Sequence, residues 1–359
     1  MGPGFESLRA HKPGRKVGFF CYLCAMKSSI RTLLPLLAAA ALLAACHAPK
    51  PPKTIVQPAF LQPGDRIALI EPSFAQADSA ARLSDSVLCS WGYETVRGPH
   101  VGAKHAGAYA GTAAERAADL KWALEDPDID AILCLGGGYG AIHLLEYLSQ
   151  EDFRAHPKWL IGFSDISVLH AMNVSAGVMS LHGTVGGFLA KFHGSDPSSL
   201  ALRDFLAGNV PEYELPAHEL NIPGEATGTL IGGNLCTYAT LADTWADYFD
   251  GTEGDLILFI EEVEETWHSI DRLFNMLRLT GRLERVKGIV LGQFTKCPAD
   301  LEYASPEAML IEEYLREMNI PVCCGFPAGH EFENNYPLPL GAPARLSVSP
   351  DGATLSFDL

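Results

Sequence analysis

Short apolar runs alternate with amphipathic stretches through the first half of the chain. Three apolar runs have the length of buried strands, and they occupy residues 67–70, 129–135 and 159–163. Apolar residues recur with helical spacing between and after these runs, at 75–92, 113–124, 141–148 and 165–172. Because strands that alternate with helices in this way form βαβ units, the pattern predicts a parallel sheet, Rossmann- or flavodoxin-like, over residues 61–187.

The pattern changes after residue 187. Residues 188–226 are punctuated by prolines and read as a linker between two domains. Shorter apolar runs follow at 226–230, 256–260, 288–291 and 346–357, with helical patterns at 269–280 and 306–318. We therefore expect an α/β protein whose N-terminal parallel-sheet domain is followed by a smaller C-terminal α+β domain over residues 227–359.

An early segment of the chain resembles an export signal. Lys27 and Arg31 precede a 13-residue apolar run at 33–45, which is too short to span a bilayer but has the length of a signal-peptide core. The run ends at Cys46 in the sequence Leu-Ala-Ala-Cys, which resembles a bacterial lipoprotein signal. The alternative is a core helix with a chance cysteine.

The lipoprotein resemblance implies that Cys46 carries a lipid and that residues 26–46 form the signal. Residues 1–25 then precede a second start at Met26, and the Pro- and Lys-rich residues 47–60 form a tether. We expect the protein to be exported and anchored by its lipid to a membrane of the cell envelope, on the periplasmic face if the cell has two membranes.

The amino-acid composition and the net charge exclude several classes of protein and partner. The 359 residues are 48% apolar and 19% charged, which is ordinary for a globular protein and excludes a disordered chain, collagen or a coiled coil. Acidic residues outnumber basic ones 43 to 26 and the formal charge is −17, so nucleic acid is not an expected partner. Six cysteines follow Cys46, and an exported protein could pair them or keep them as buried thiols.

A serine stands at the corner where an apolar strand gives way to a helix. In Gly162-Phe163-Ser164-Asp165, such a corner would expose the Ser164 hydroxyl and direct the Asp165 N–H toward a developing oxyanion. Ile166 replaces the second glycine of the usual G-x-S-x-G elbow. The same residues would also serve as a helix N-cap, and the motif alone favours the cap.

A glycine cluster, Gly136-Gly137-Gly138-Tyr139-Gly140, closes the second predicted strand. Its backbone N–H groups could bind a phosphate or an oxyanion. The cluster matches neither the dinucleotide G-x-G-x-x-G motif nor a P-loop, and a tight turn between strand and helix explains it equally well.

The remaining candidates lie in the C-terminal half. Glu261 follows the apolar run 256–260 within an acidic stretch, where it could orient an imidazole, although such a charge run is more often a solvated face. His330 lies in a turn-rich loop and could equally be a surface residue. The neighbouring acids and cysteines lack the spacing of a zinc site, so we expect no metal.

Six motifs occur in one order along the chain. They are Gly136-Gly-Gly-Tyr-Gly140, Gly162-Phe-Ser-Asp165, His182-Gly183, Gly232-Gly-Asn234, Leu258-Phe-Ile-Glu261 and Gly329-His330. Over about residues 60–359, the sequence resembles the LD-carboxypeptidase family, which includes murein tetrapeptide carboxypeptidases and microcin C immunity peptidases. The resemblance implies an active site between two domains, no cofactor, and a homodimer.

The resemblance also implies a Ser–Glu–His serine peptidase. Ser164 matches the nucleophile of the family, Glu261 the acid and His330 the base. The expected reaction is hydrolysis of the L–D amide bond before the terminal D-alanine of a murein tetrapeptide. The oxyanion hole would consist of the Asp165 N–H and one N–H of the glycine cluster, that of Gly137 or Gly138.

The sequence departs from the family pattern at three places. Gly136 stands where members commonly have Arg, Thr184 where many have Pro, and Glu262 where Asp is frequent. The first departure bears on how a substrate carboxylate is held. Two alternatives stay open, namely a peptidase for another peptidyl amide, such as a microcin C-like peptide–nucleotide, and a non-catalytic lipoprotein that binds wall peptides.

Overall fold

The computed structural model describes residues 54–359, which are built on two sheets. The strands of the first sheet are β1 (Arg66–Ile70), β2 (Glu94–Arg97), β3 (Ala131–Cys134), β4 (Trp159–Gly162), β5 (Ser180–His182) and, from much later in the chain, β11 (Leu338–Leu340). Their order is β11-β5-β4-β3-β1-β2, and every pairing is parallel except that of β11 with β5. The parallel sheet predicted for the N-terminal half is therefore present.

The second sheet has seven strands and is mixed. They are β6 (Tyr213–Pro216), β7 (Gly224–Asn234), β8 (Leu256–Val263), β9 (Val286–Thr295), β10 (Val322–Cys323), β12 (Pro343–Ser349) and β13 (Gly352–Phe357). The order is β10-β9-β8-β7-β12-β13-β6, with parallel pairing from β7 to β10 and antiparallel pairing elsewhere. The apolar run predicted at 346–357 is thus a hairpin rather than one strand.

Helices connect the strands of both sheets. They are α1 (Asp78–Ser90), α2 (Ala113–Glu125), α3 (Gln150–Arg154), α4 (Ser167–Ser175), α5 (Gly186–Phe192), α6 (Pro197–Leu206), α7 (Leu235–Ala239), α8 (Tyr248–Gly251), α9 (Trp267–Leu279), α10 (Pro306–Leu310) and α11 (Arg316–Met318). A π turn at Ile311–Leu315 joins α10 to α11, so the helix predicted at 306–318 is interrupted. The helix predicted at 141–148 is a 3₁₀ helix, Ala141–Glu146. No helix within residues 54–359 is long and apolar enough to cross a membrane.

Burial explains why the central strands read as unbroken apolar runs. Parallel strands are covered on both faces, so neither face needs polar side chains. All four residues of β3 and all four of β4 are buried. One hydrophobic cluster contains Ala68 and Ile132 of the first sheet together with Leu258 and Ile289 of the second. The two sheets therefore share a core, which fixes their strand ends relative to one another.

Two segments are more ordered than the sequence predicted. The predicted linker, 188–226, contains α6 and β6, and the apolar face of α6 packs on the first sheet through Leu202 and Phe205. The described end of the predicted tether, 47–60, is attached to the turn between α4 and β5, where the Val56 N–H donates to the Gly177 carbonyl at 2.8 Å. The predicted lipoprotein signal, including Cys46, lies outside the described residues.

Candidate active site

Ser164 sits on a strained turn at the carboxyl end of β4. Its φ is +66°, in the left-handed region that non-glycine residues rarely adopt. A Cβ on Gly162 would lie 3.0 Å from two side-chain carbons of Ile166, so a larger residue there would press on the turn that carries Ser164. A short 3₁₀ turn, Ser164–Ile166, then leads into α4. The predicted corner is present, and it raises the serine out of the sheet edge.

The structure brings Ser164, His330 and Glu261 together in one hydrogen-bonded chain. The distance from Ser164 Oγ to His330 Nε2 is 3.0 Å, and that from His330 Nδ1 to Glu261 Oε2 is 2.7 Å. A carboxylate only accepts hydrogen bonds, so Nδ1 carries the imidazole proton and Nε2 is left to accept the serine proton. Side-chain exposure is 9% for His330 and 0% for Glu261, so water competes little for this hydrogen bond.

The pKa of His330 reflects two opposing effects. Burial by itself lowers the pKa of this imidazole, whereas the charge of Glu261 and the hydrogen bond to it raise the pKa. The attraction prevails, and the net pKa lies above the ordinary histidine value of 6.5. A histidine whose pKa is raised in this way is well suited to hold a proton during a reaction.

The loop that carries His330 is held from behind by a side chain that the sequence reasoning did not single out. Asn335 Oδ1 accepts hydrogen bonds from the Gly329 N–H and from His182 Nε2, each at 3.0 Å. The Asn335 N–H in turn donates to Ser198 Oγ at 2.6 Å. The histidine of the His182-Gly183 motif therefore supports the loop of the catalytic candidate, and no spacing in the sequence indicates that pairing.

The glycine cluster lies directly against the serine turn. A Cβ on Gly137 would lie 3.1 Å from Ser164 Cβ and 3.4 Å from the Asp165 nitrogen, so only glycine fits without displacing them. Gly138 has a φ of +111° and packs against the ring of Phe74. The predicted oxyanion residues are thus neighbours of the nucleophile candidate.

The Asp165 side chain has a structural role in this turn. Its Oδ2 accepts hydrogen bonds from Ser73 Oγ at 2.6 Å and from the Ala141 N–H at 2.9 Å. Burial raises the pKa of Asp165, while these hydrogen bonds and the charge of Arg116 oppose the rise. The Asp165 carboxylate therefore joins the serine turn to the glycine turn, and these contacts do not use the Asp165 backbone N–H.

Glu261 and Glu262 differ from the solvated face that a charge run usually forms, because both are fully buried at the end of β8. Glu262 Oε1 accepts hydrogen bonds from Asn234 Nδ2 at 2.8 Å and from its neighbour Val263 N–H at 2.9 Å, and Oε2 accepts one from the Cys236 N–H at 2.8 Å. Burial and the adjacent Glu261 charge raise the pKa of Glu262 to about 7. Glu261 alone of the two contacts His330.

A cavity of about 590 Å³ opens at the serine and draws its walls from both sheets. The N-terminal part contributes three glycines of the cluster (136–138), Phe163 and Ser164, and the C-terminal part contributes His330 and residues at the carboxyl ends of β8 and β9. Within residues 54–359, no group of three or more His, Cys, Asp or Glu side chains could hold a metal ion. The six cysteines of this part of the chain are all unpaired.

Comparison with known proteins agrees with this geometry. The LD-carboxypeptidase N-terminal domain matches residues 67–183, and the LD-carboxypeptidase C-terminal domain matches residues 227–346. A Synechocystis protein named as a carboxypeptidase is 37% identical over 315 residues, which cover 85% of this chain and 98% of that protein. The murein tetrapeptide carboxypeptidase of Pseudomonas aeruginosa is 34% identical over 76% of this chain and 91% of its own length.

A solved structure shows the same fold. The muramoyltetrapeptide carboxypeptidase from Oxalobacter formigenes superposes with a TM-score of 0.70 at 25% identity, over 82% of this chain and 99% of that one. The first matched domain carries Ser164, and the second carries Glu261 and His330. This chain is a member of the LD-carboxypeptidase family.

Proposed function

We propose that this protein is a serine carboxypeptidase that hydrolyses the L–D amide bond before the terminal D-alanine of murein tetrapeptides. The observation that carries the proposal is the hydrogen-bonded chain Ser164–His330–Glu261 at the mouth of the cavity. Membership of the LD-carboxypeptidase family and the 34% identity to a murein tetrapeptide carboxypeptidase support the choice of substrate.

Each residue of this hydrogen-bonded chain has one role in the proposed reaction. The Ser164 hydroxyl attacks the scissile carbonyl carbon while His330 Nε2 takes its proton, and Glu261 stabilises the resulting imidazolium. The N–H groups of Asp165 and of Gly137 or Gly138 bind the oxyanion; one such donor typically contributes about 3 kcal/mol. His330 then protonates the departing D-alanine amine, and water hydrolyses the acyl-enzyme by the same path. The reaction requires no cofactor.

The test incubates the full-length chain with a murein tetrapeptide and detects released D-alanine by mass spectrometry. We expect release from the tetrapeptide and none from its all-L counterpart. Ser164→Ala should lower kcat/KM by about ten-thousand-fold or more with little change in KM, because the remaining groups only bind and polarise the substrate.

A matched control is Ser86→Ala, which removes an exposed hydroxyl from α1, far along the sequence from the turn. This variant should retain the full rate. Unchanged turnover by Ser164→Ala would contradict the assignment of the nucleophile, and tight binding of the tetrapeptide without turnover by the unsubstituted chain would favour a wall-peptide-binding protein.

The place of action follows from the N-terminal segment. Cys46 carries a lipid that anchors the exported protein to the cell envelope, where it meets murein peptides outside the inner membrane. The support is the signal-like sequence of residues 26–46. Cys46→Ser should move the protein from the membrane fraction to the soluble fraction and abolish incorporation of labelled fatty acid; retention of both would contradict the anchor.

The family resemblance adds a homodimer to the proposal. Sedimentation of the detergent-solubilised full-length chain at several concentrations tests it. A mass of two chains is expected, and a mass of one chain across the whole range would contradict it.

A further inference from the structure

The wall that the first sheet contributes to the cavity carries no cation among its described residues. Gly136 has no side chain, and a Cβ there would lie 2.3 Å from Gln76 Nε2, so the amide of Gln76 occupies that space. Gln76 Nε2 donates to the Phe74 carbonyl at 3.1 Å. Arg116 lies behind the wall, 2% exposed, and donates to the Gly140 carbonyl at 2.8 Å. A substrate therefore meets only neutral groups on this wall.

The wall that the second sheet contributes to the cavity does carry a cation. Lys296 directly follows β9 and is the one Lys or Arg among the described residues that line the cavity. Its Nζ lies 3.8 Å from Glu264 Oε1, and the two side chains are 75% and 70% exposed. An ion pair this open and this long is weak, so the ammonium can leave Glu264 for another anion.

The backbone at these two residues is constrained. Of the seven described non-glycine residues with positive φ, three line the cavity: Ser164 at 66°, Glu264 at 60° and Lys296 at 54°. The Glu264 N–H donates to the Thr295 carbonyl at 3.0 Å, which ties the ends of β8 and β9 together. Strained backbone of this kind persists where the surrounding structure imposes it, and it concentrates at functional sites.

We propose that Lys296 is a specificity-determining residue that binds the free carboxylate at the end of the substrate. The inference rests on the proposed function, because a carboxypeptidase must distinguish a chain end from an internal amide. The protein has a formal charge of −17, so an anionic chain end needs a local cation to enter the cavity. In the absence of substrate, Glu264 holds the ammonium at the cavity wall.

The test compares the tetrapeptide that ends in free D-alanine with the same peptide ending in D-alanine amide. In Lys296→Met, we expect KM for the free acid to rise about fivefold, as for an exposed ion pair, with kcat unchanged. The kinetics for the amide should not change, so the preference for acid over amide falls by the same factor. Lys296→Arg keeps the charge and should keep most of the preference.

Lys287→Met is the matched control, since this lysine is also exposed and lies at the end of β9 away from Lys296. It should leave both substrates unaffected. An unchanged ratio of acid to amide turnover in Lys296→Met would refute the assignment alone. Failure of the unsubstituted chain to release D-alanine from the acid and D-alanine amide from the amide would refute the proposed function, and the role of Lys296 with it.

Discussion

Two serine–histidine pairs within residues 54–359 can be compared, one at the cavity and one in the core. At the cavity, Ser164 Oγ lies 3.0 Å from His330 Nε2. In the core, Ser180 Oγ on β5 lies 2.7 Å from His170 Nδ1 on α4. The core pair is the shorter and is sealed from solvent on every side. Distance between a hydroxyl and an imidazole therefore does not distinguish a nucleophile from a structural contact.

Besides its serine, each histidine has a second hydrogen-bond partner, and these second partners differ. His330 donates from Nδ1 to the Glu261 carboxylate, whereas His170 donates from Nε2 to the Gly162 carbonyl at 2.9 Å. The hydrogen bond to the neutral Gly162 carbonyl raises the pKa of His170 too little to offset burial, which lowers the pKa to about 4. The core pair instead fastens β5 and α4 to the end of β4, just before the serine turn. Reactivity depends on the charge behind the imidazole and on the cavity in front of the serine.

The largest expected effect comes from making the cavity pair resemble the core pair. Glu261→Gln keeps the shape of the side chain but removes its charge, so the imidazolium loses its stabilisation. We expect kcat/KM to fall about ten-thousand-fold with a small change in KM. Steady-state kinetics with the murein tetrapeptide measures it. Glu262→Gln, one residue away, is the control and should retain far more activity; equal losses would mean that burial rather than contact with His330 matters.

The pH dependence separates the two histidines further. His330 must be neutral to accept the serine proton, so kcat/KM should fall about tenfold per pH unit below its pKa, which lies above 6.5. His170 stays neutral until about pH 4. A pH–rate profile together with NMR titration of labelled histidines checks both. An activity midpoint below 6.5 would contradict the charge assigned to Glu261.

The smallest effect on turnover is expected in the core pair. Ser180→Ala removes the hydrogen-bond partner of a buried imidazole nitrogen, which should lower the free energy of unfolding by about 1–3 kcal/mol. The kcat/KM should stay nearly unchanged, the reverse of Ser164→Ala. Chemical denaturation and kinetics on the same samples measure the two quantities. Loss of activity without loss of stability would show that the core pair participates in the reaction.

The sequence predicted the parallel sheet and the three candidate catalytic side chains, but each motif taken alone had two interpretations. Ser164 could have capped a helix, and only its place in an ordered set with Glu261 and His330 favoured a nucleophile. Helix α6 was missed although Asp196 and Pro197 form a recognisable helix start, with the Asp196 carboxylate accepting from the Ser199 N–H.

Other contacts leave no local signal. Ser73 reaches Asp165 across 92 residues, and His182 reaches Asn335 across 153. Such pairs depend on how the sheets pack, because no periodicity or spacing relates residues so far apart in the chain. The same holds for Gln76, which fills the space beside Gly136 only after the turns have formed.

The position of β11 has a consequence for synthesis on the ribosome. Leu338–Leu340 cover the edge of β5 by antiparallel pairing, more than 150 residues after β5 itself. Until those residues emerge, the nascent first sheet exposes an open edge next to apolar side chains, which invites pairing with other chains. A chain terminated near residue 187 would keep that edge permanently, so we expect it to require chaperone binding and to aggregate when released.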